Sequence, residues 1–274
     1  MTIFPEIFEN TRSLAPPPPF LDDGTPVDRL FWFGQLPSTN GFLKQHALRL
    51  PHGTIVVADA QSAGRGRRGR DFSSPPNGGL HLSVLYRPAK RSALSSFVTM
   101  GACVAMARAA ARAIADASGR YPDIKWVDDL YRGGRKIAGI PTEAGLDHDD
   151  PTADFIVVGI GVNLFRPTKG FPTAIAGRAG AVSDDAPPPS GDSPLKLRLL
   201  AALIRELTAL GEAAGAKAYI GDYRAHSMLI GKRVRLSGRS FQSEGTVRGF
   251  NGLGHLLLAD AAAGNKPSHL EEFH

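Results

Sequence analysis

The residues best suited to chemistry lie in a glycine- and arginine-rich segment, Gly64-Arg65-Gly66-Arg67-Arg68-Gly69, which Arg70 follows. Glycines let a ligand approach the backbone closely, and arginine side chains bind carboxylate or phosphate oxygens through paired N–H groups. Two apolar stretches that read as strands, 54–58 and 80–86, flank the segment, and Gln61 stands at its entrance. This position favours an anion-binding loop over a solvated basic loop or an arginine–glycine segment that binds RNA.

The same six residues fit the G-x-G-x-x-G pattern of dinucleotide-binding proteins. That pattern requires a helix directly after the glycines, whereas residues 71–79 contain two prolines and two further glycines. A Walker loop is excluded because Arg70-Asp71 stands where Lys-Ser/Thr is needed, and the H-R-D and D-F-G motifs of protein kinases are absent. The loop therefore belongs to another kind of anion site.

A second group of reactive side chains lies in Lys125-Trp126-Val127-Asp128-Asp129-Leu130 and Arg135-Lys136-Ile137-Ala138-Gly139-Ile140. We expect the two aspartates to end one strand, Gly133-Gly134 to form a turn, and Lys136 to open the next strand. Such a hairpin brings Lys136 near the aspartates. The lysine could then neutralise a phosphoryl oxygen, and an aspartate could hold magnesium or a nucleotide. A surface hairpin with a salt bridge is the alternative.

A third group is the apolar strand Val158-Gly159-Ile160-Gly161-Val162-Asn163. Glycines that alternate through a strand indicate that something approaches the backbone closely, either a ligand or a tightly packed neighbour.

The elements that position these groups follow from periodicity and capping residues. Ser38-Thr39-Asn40 precedes an amphipathic helix over 42–50, and Ser193-Pro194 precedes a helix over 195–214. An alanine-rich helix over 94–117 ends at Gly119. Strands are predicted at 123–126, 136–142 and 154–162, and three short strands at 233–236, 245–249 and 255–259 predict a small β-barrel. The chain thus divides into an irregular proline-rich arm (1–29), a main domain (30–225) and a small C-terminal domain (226–274).

Composition limits the class of protein. The 274 residues carry a formal net charge of +6, which favours anionic partners such as a nucleotide, a nucleic acid or an acidic carrier protein. A single cysteine, Cys103, excludes an intrachain disulfide and a multi-cysteine metal site. No run approaches the ~20 apolar residues of a membrane span, and residues 1–10 lack the basic start of a secretory signal. We therefore expect a cytoplasmic protein without membrane association.

In this order, the segments resemble those of the biotin–protein ligases. The resemblance spans roughly residues 30–274 and rests on Ser38-Thr39-Asn40, Gln61 with the arginine–glycine loop, Lys125-Trp126, Arg135-Lys136-x-Ala-Gly-Ile and Gly159-x-Gly-x-Asn163. It implies an α/β (α+β) fold, in which a mixed-sheet catalytic domain of the biotin/lipoate-ligase type binds biotin and ATP. A small C-terminal SH3-like β-barrel follows this domain. The related lipoate ligases lack the arginine–glycine loop.

The resemblance implies that the protein uses ATP and Mg²⁺ to activate biotin as biotinyl-5'-adenylate. The biotin would then pass to a lysine of a biotin carboxyl carrier protein, from acetyl-CoA carboxylase or a related carboxylase. The catalytic residues implied are Lys136, Arg67 and Asp129. Those implied for biotin are Ser38, Thr39, Asn40, Gln61, Gly64, Arg65, Gly66, Arg67, Lys136, Gly159 and Gly161. Those implied for the nucleotide are Arg65, Arg67, Arg68, Asp129 and Asn163, and Asp129 is also the residue implied for magnesium.

Two positions depart from the family's usual pattern. Val127-Asp128 replaces Pro-Asn, which adds a negative charge beside the nucleotide, and Pro141 replaces leucine, which puts strand pairing there in question.

Two other functions stay open on the sequence alone: a lipoate/octanoate–protein ligase of the same fold, and a nucleic-acid-binding protein that uses its basic loop. Many bacterial biotin ligases also carry an N-terminal DNA-binding domain, and residues 1–29 are too short for one. We therefore expect a ligase that binds no specific DNA and acts as a monomer or homodimer.

Overall fold

The computed structural model of the protein describes residues 11–12, 29–64, 77–87, 96–145, 154–185, 187, 193–212, 219–237 and 242–259. Arg65, Gly66, Arg67 and Arg68 lie outside these ranges, so the anion-binding loop remains a sequence prediction.

A nine-stranded mixed sheet forms the centre of the fold, with strand order β1-β2-β3-β4-β9-β7-β6-β5 and with β8 also paired to β9. Its strands are β1 (Thr11–Arg12), β2 (Leu30–Leu36), β3 (Ile55–Gln61), β4 (Gly79–Tyr86), β5 (Asp123–Lys125), β6 (Asp129–Arg132), β7 (Arg135–Gly139), β8 (Thr142–Gly145) and β9 (Phe155–Asn163). The pair β2–β3 is parallel, and the other neighbouring strands are antiparallel. The predicted α/β (α+β) class is confirmed.

Helices cover both faces of the sheet, because successive strand residues point to opposite sides. The helices of the described residues are α1 (Thr39–His46), α2 (Ser96–Ser118), α3 (Pro194–Glu212) and α4 (Ile220–Ala225). Val56 and Ala58 of β3 pack in one apolar cluster with Leu43 of α1. Ile55 and Val57 lie in the other cluster, which also contains buried residues of α2 and α3. The sheet is therefore the middle layer of three.

Helix starts agree with the capping residues in the sequence. The Ser38 hydroxyl accepts a hydrogen bond from the Gly41 N–H at 3.2 Å, and the Ser193 hydroxyl accepts one from the Lys196 N–H at 3.1 Å. Gly119, which follows α2, has φ +71°, the left-handed conformation common after a helix. The amphipathic stretch predicted over 42–50 is shorter than expected, since α1 ends at His46.

Two strand predictions around the reactive hairpin were wrong in detail. Asp128 and Asp129 do not end a strand: β5 stops at Lys125, and Asp129 opens β6. The single strand predicted over 136–142 is two strands, β7 and β8, with Pro141 between them. Proline has no N–H to donate to a ladder, so the strand breaks there, but the Pro141 carbonyl still accepts from the Gly159 N–H at 2.8 Å.

The two ends of the chain contribute further strands. The arm predicted to be irregular supplies β1, which pairs Thr11 and Arg12 with Phe33 and Trp32 of β2. At the other end, β10 (Arg233–Ser237), β11 (Gln242–Phe250) and β12 (Leu256–Ala259) form an antiparallel sheet, in agreement with the small SH3-like domain. The boundaries 29/30 and 225/226 remain predictions. Among the described helices, none has the length and apolar character needed to cross a membrane.

Candidate functional site

A pocket opens where the start of α1 meets the central strands of the sheet. It is lined by Ser38, Thr39, Asn40, Gln61, His81, Leu82, Gly139, Pro141, Gly159, Ile160 and Gly161. Six of these were proposed from the sequence for biotin: Ser38, Thr39, Asn40, Gln61, Gly159 and Gly161. Residues from five separate parts of the chain therefore form one cavity.

The α1 side of the pocket is held by a network of polar side chains. The carboxamide oxygen of Gln61 accepts from the backbone N–H of Thr39 at 2.8 Å. The buried Ser83 hydroxyl lies 2.7 Å from Thr39 Oγ1 and 2.6 Å from Asn40 Oδ1. Buried polar groups are stable only when hydrogen-bonded, so these contacts rigidify the wall.

Gly159 makes room for this wall. A Cβ atom on Gly159 would overlap the carboxamide of Asn40. The alternating glycines were interpreted as either a ligand wall or close packing, and at Gly159 both hold, because the residue lines the pocket and also touches Asn40.

Behind Asn40 stands a carboxylate that the sequence analysis missed. The Asn40 Nδ2 group donates to Glu143 Oε1 at 2.8 Å, and the other carboxylate oxygen pairs with Lys44 Nζ at 2.6 Å. Glu143 belongs to β8, whereas Lys44 belongs to α1. No local pattern signals contacts between segments so far apart in the chain.

His81 is a second pocket residue that the sequence analysis missed. Its imidazole is buried, and a Cβ atom on Gly79 would lie 3.1 Å from its Nε2. Burial lowers the pKa of His81 to about 4, and the nearby positive charge of Lys196 lowers it as well. The ring is therefore neutral near pH 7 and offers one donor and one acceptor. An ionisable residue inside the apolar run Leu80–Leu85 was the available signal.

The hairpin of β6 and β7 brings Lys136 beside the cavity, although Lys136 is not one of its lining residues. Its Nζ lies 2.5 Å from Asp129 Oδ1, as the sequence predicted for this pair. A Cβ atom on the pocket residue Gly139 would lie 3.1 Å from the same Nζ, so the ammonium lies against the pocket wall. The hairpin turns at Gly133 and Gly134, both with positive φ. This ammonium can act on an anion at the pocket edge.

Asn163 ends β9 at the side of Lys136. Its Nδ2 group donates to the Gly180 carbonyl at 3.0 Å, and the Gly180 N–H donates to the Lys136 carbonyl at 2.8 Å. Gly64, three residues beyond the end of β3, is buried and lies outside the pocket lining. Arg65, Gly66, Arg67 and Arg68 lie outside the described residues, so the structure does not test their roles.

An ion pair between a buried lysine and a partly buried aspartate lies on the opposite face of the sheet. Lys196 of α3 contacts Asp59 Oδ1 at 2.5 Å, and the indole N–H of Trp32 donates to the same oxygen at 3.0 Å. The Lys196 ammonium also lies 5.3 Å from the centre of the Trp32 ring. No pattern in the sequence predicts a buried lysine within this amphipathic helix.

The described residues contain no cluster of three or more His, Cys, Asp or Glu side chains suited to a metal ion. A Mg²⁺ ion often needs only one or two carboxylates, because water and substrate phosphates complete its coordination. Asp129, partly exposed beside the pocket, fits that limited requirement.

Comparison with known proteins identifies the family. Residues 32–163 match the model of the biotin/lipoate A/B protein ligase family, and the chain belongs to this family. Similar proteins within it include biotin ligases. The bifunctional ligase/repressor BirA of Escherichia coli is 31% identical over 224 residues, which are 81% of this chain and 66% of that protein. The biotin–[acetyl-CoA-carboxylase] ligase of Paracoccus denitrificans is 29% identical and is covered over 92% of its length, by 82% of this chain.

Coverage differs among the relatives. The Bacillus subtilis BirA is 35% identical to this chain over 136 residues, which are half of this chain and 40% of that protein. Among solved structures, the biotin protein ligase from Aquifex aeolicus in complex with biotin and ATP superposes with a TM-score of 0.66 and 25% identity, over 84% of this chain and 91% of that chain. The fold implied by the sequence resemblance is therefore confirmed.

Proposed function

We propose that the protein uses ATP to convert biotin into biotinyl-5'-adenylate and then transfers the biotinyl group to a lysine of a biotin carboxyl carrier protein. The observation that carries this proposal is the pocket of Ser38, Thr39, Asn40 and Gln61 with the Lys136 ammonium against its Gly139 wall. The similar Aquifex structure holds biotin and ATP, and the Paracoccus relative is a biotin–[acetyl-CoA-carboxylase] ligase. Both support this choice of substrates and carrier.

In the first step, a carboxylate oxygen of biotin attacks the α-phosphorus of ATP, and the bond to pyrophosphate breaks. Two anions repel each other until cations screen both of them. Lys136 is proposed to contact the biotin carboxylate and the α-phosphate, together with Arg65 and Arg67 of the basic loop. The Lys136 side chain is about one-third exposed at 35%, so a ligand anion can reach it without the lysine leaving Asp129.

The neutral groups of the pocket wall have a different task. Thr39, Asn40 and Gln61 bind by hydrogen bonds, and without net charge they hold an uncharged polar ring while the acid end points toward Lys136. In the second step, the carrier's lysine amine attacks the acyl carbon of the adenylate, and AMP leaves. Because the reaction consumes ATP, we propose the cytoplasm as its compartment.

The nucleotide is proposed to lie beside the β6–β7 hairpin and the end of β9. Arg65, Arg67 and Arg68 would bind its phosphates, and Asn163 would approach the adenine. When bound, Mg²⁺ supplies charge that neutralises phosphate oxygens, and Asp129 is the residue proposed to hold it. The carboxylate of Asp128, the departure from the usual pattern, is buried beside Asp129.

The test is ATP–pyrophosphate exchange with biotin, with lipoate, with octanoate and without an acid. We expect exchange that depends on biotin and is lost when magnesium is chelated. Exchange that lipoate or octanoate stimulates and biotin does not would replace the proposed substrate. The same assay with isolated carrier protein measures the transfer step as carrier-dependent release of AMP.

A further inference from the structure

We propose that Glu143 is a positioning residue. Its carboxylate determines which atom donates and which accepts in each hydrogen bond of the pocket wall formed by Asn40, Ser83 and Thr39. Glu143 is absent from the pocket lining, so it acts through these neighbours and not on a ligand. The prediction for biotin affinity rests on the proposed function, whereas the direction of the hydrogen bonds is a property of the ligand-free protein.

The first step concerns the Asn40 carboxamide. Its nearer atom lies 2.8 Å from Glu143 Oε1. An ionised carboxylate only accepts hydrogen bonds, so that atom must be the amide nitrogen. The carboxamide oxygen then faces the Ser83 hydroxyl at 2.6 Å.

The second step assigns the donor in the hydrogen bond between Ser83 and Thr39. A carboxamide oxygen only accepts, so Ser83 must donate its single hydroxyl proton to Asn40. The Thr39 hydroxyl has two oxygens within reach, Ser83 Oγ at 2.7 Å and Gln61 Oε1 at 3.2 Å. Because the Ser83 proton already goes to Asn40, the short contact with Ser83 requires Thr39 to donate there and not to Gln61. The Thr39 hydroxyl, with its proton directed to Ser83, presents only lone pairs to the pocket.

The third step fixes Gln61 by the same reasoning. Its carboxamide oxygen accepts the backbone N–H of Thr39 at 2.8 Å, a donor whose direction cannot change. The orientation of the Gln61 carboxamide is thereby set without Glu143, although the same oxygen also lies 3.2 Å from Thr39 Oγ1. In this wall the backbone therefore sets the orientation of the Gln61 carboxamide, and the Glu143 carboxylate sets the orientation of the Thr39 hydroxyl.

Glu143 is the charged acceptor at the end of this chain of contacts, and hydrogen bonds to ionised groups are roughly twice as strong as neutral ones. A glutamine at position 143 would keep the shape but could offer either nitrogen or oxygen to Asn40. If the Asn40 carboxamide turned over, Ser83 would accept from it and donate to Thr39. Thr39 would then direct its proton to the Gln61 carboxamide oxygen at 3.2 Å, and the Thr39 and Gln61 oxygens would offer fewer lone pairs to the pocket.

The experiment compares the full-length wild type with E143Q, and K44M serves as a matched control. K44M removes the half-exposed partner of the other Glu143 oxygen and leaves the contact with Asn40 in place. Biotin dissociation constants are measured by calorimetry. Solvent exchange of the Asn40 side-chain amide protons is measured by NMR in the ligand-free protein. We expect E143Q to bind biotin about tenfold more weakly and K44M to stay within about twofold.

The swapped variant N40D/E143Q separates direction from general stability. An aspartate at position 40 accepts both from Ser83 and from the carboxamide that E143Q introduces, which restores the original direction at Thr39. We expect it to bind biotin more tightly than E143Q alone, a recovery that a purely structural role of Glu143 would not give.

Two results would overturn the inference. One is E143Q with wild-type biotin affinity. The other is unchanged exchange of the Asn40 amide protons in ligand-free E143Q, which needs no ligand at all. A wild-type protein that fails to bind biotin would instead overturn the proposed function, and the exchange data would still decide the role of Glu143.

Discussion

Two lysine–aspartate pairs, each with its aspartate in the sheet, have the same N–O distance but different surroundings. Lys196–Asp59 and Lys136–Asp129 both have an N–O distance of 2.5 Å. The Lys196 side chain is 1% exposed and lies among apolar residues and Trp32, whereas the Lys136 side chain is 35% exposed and lies against the pocket. A buried ion cannot exchange its partner for water, but an exposed one can. We therefore expect the Lys196–Asp59 pair to stabilise the fold and the Lys136–Asp129 pair to be available for chemistry.

The largest expected effect is a loss of stability when the Lys196–Asp59 pair is disrupted. We expect K196M to lower the free energy of unfolding by about 3–5 kcal/mol, because it leaves the Asp59 carboxylate without its buried cation. Urea denaturation monitored by circular dichroism measures this loss. The double variant K196M/D59N removes both charges and should recover much of it. A K196M protein as stable as the wild type would show that the buried pair contributes little.

The next effect is on catalysis at the exposed pair. We expect K136A to slow biotinyl-adenylate formation by about 3–4 kcal/mol of activation free energy, roughly a hundred- to a thousand-fold, because one cation is lost where charge develops. Its free energy of unfolding should fall by less than about 1 kcal/mol, as for other exposed pairs. Single-turnover adenylation and thermal melting measure the two quantities. Near wild-type adenylation in a folded K136A would remove Lys136 from the catalytic residues.

A smaller effect concerns the pH dependence of stability at His81. The pKa of His81 is about 4 in the folded protein, through burial and the charge of Lys196, against 6.5 as the unperturbed value. Between these values only the unfolded state binds the proton, so stability is full above pH 6.5 and falls as the pH drops toward 4. From about pH 7 to about pH 5 the wild type should lose about 2 kcal/mol through this residue.

The control for this prediction is H81N, which keeps a polar side chain that does not titrate. Its free energy of unfolding should depend less on pH over the same interval. Parallel pH dependence in the two proteins would contradict the lowered pKa of His81.

Features governed by neighbouring residues could be predicted from the sequence. The helix starts at Ser38 and Ser193 depend on a cap three residues from its donor. The contact of Lys136 with Asp129 spans seven residues of one hairpin. Local chemistry determines these features, so a sequence pattern suffices.

Features that need distant partners were missed. Glu143 and Lys196 each read as an ordinary strand or helix residue, and their roles come from contacts with Asn40 and Asp59. His81 stands out only as an ionisable residue inside an apolar run, and its place in the pocket comes from the fold. Lys196 and Asp59 are 137 residues apart. Their burial is decided by how the layers pack, which no short window of sequence contains.

The contact between Asn40 and Glu143 also has a consequence for folding kinetics. It joins residues 103 positions apart, and contacts of such long separation form late because closing the loop between them is entropically unfavourable. The wall of the pocket is thus complete only after α1 has docked against β8. During refolding from denaturant, we expect far-ultraviolet dichroism to recover before the capacity to bind biotin, with the lag measuring the time needed to join the two distant segments.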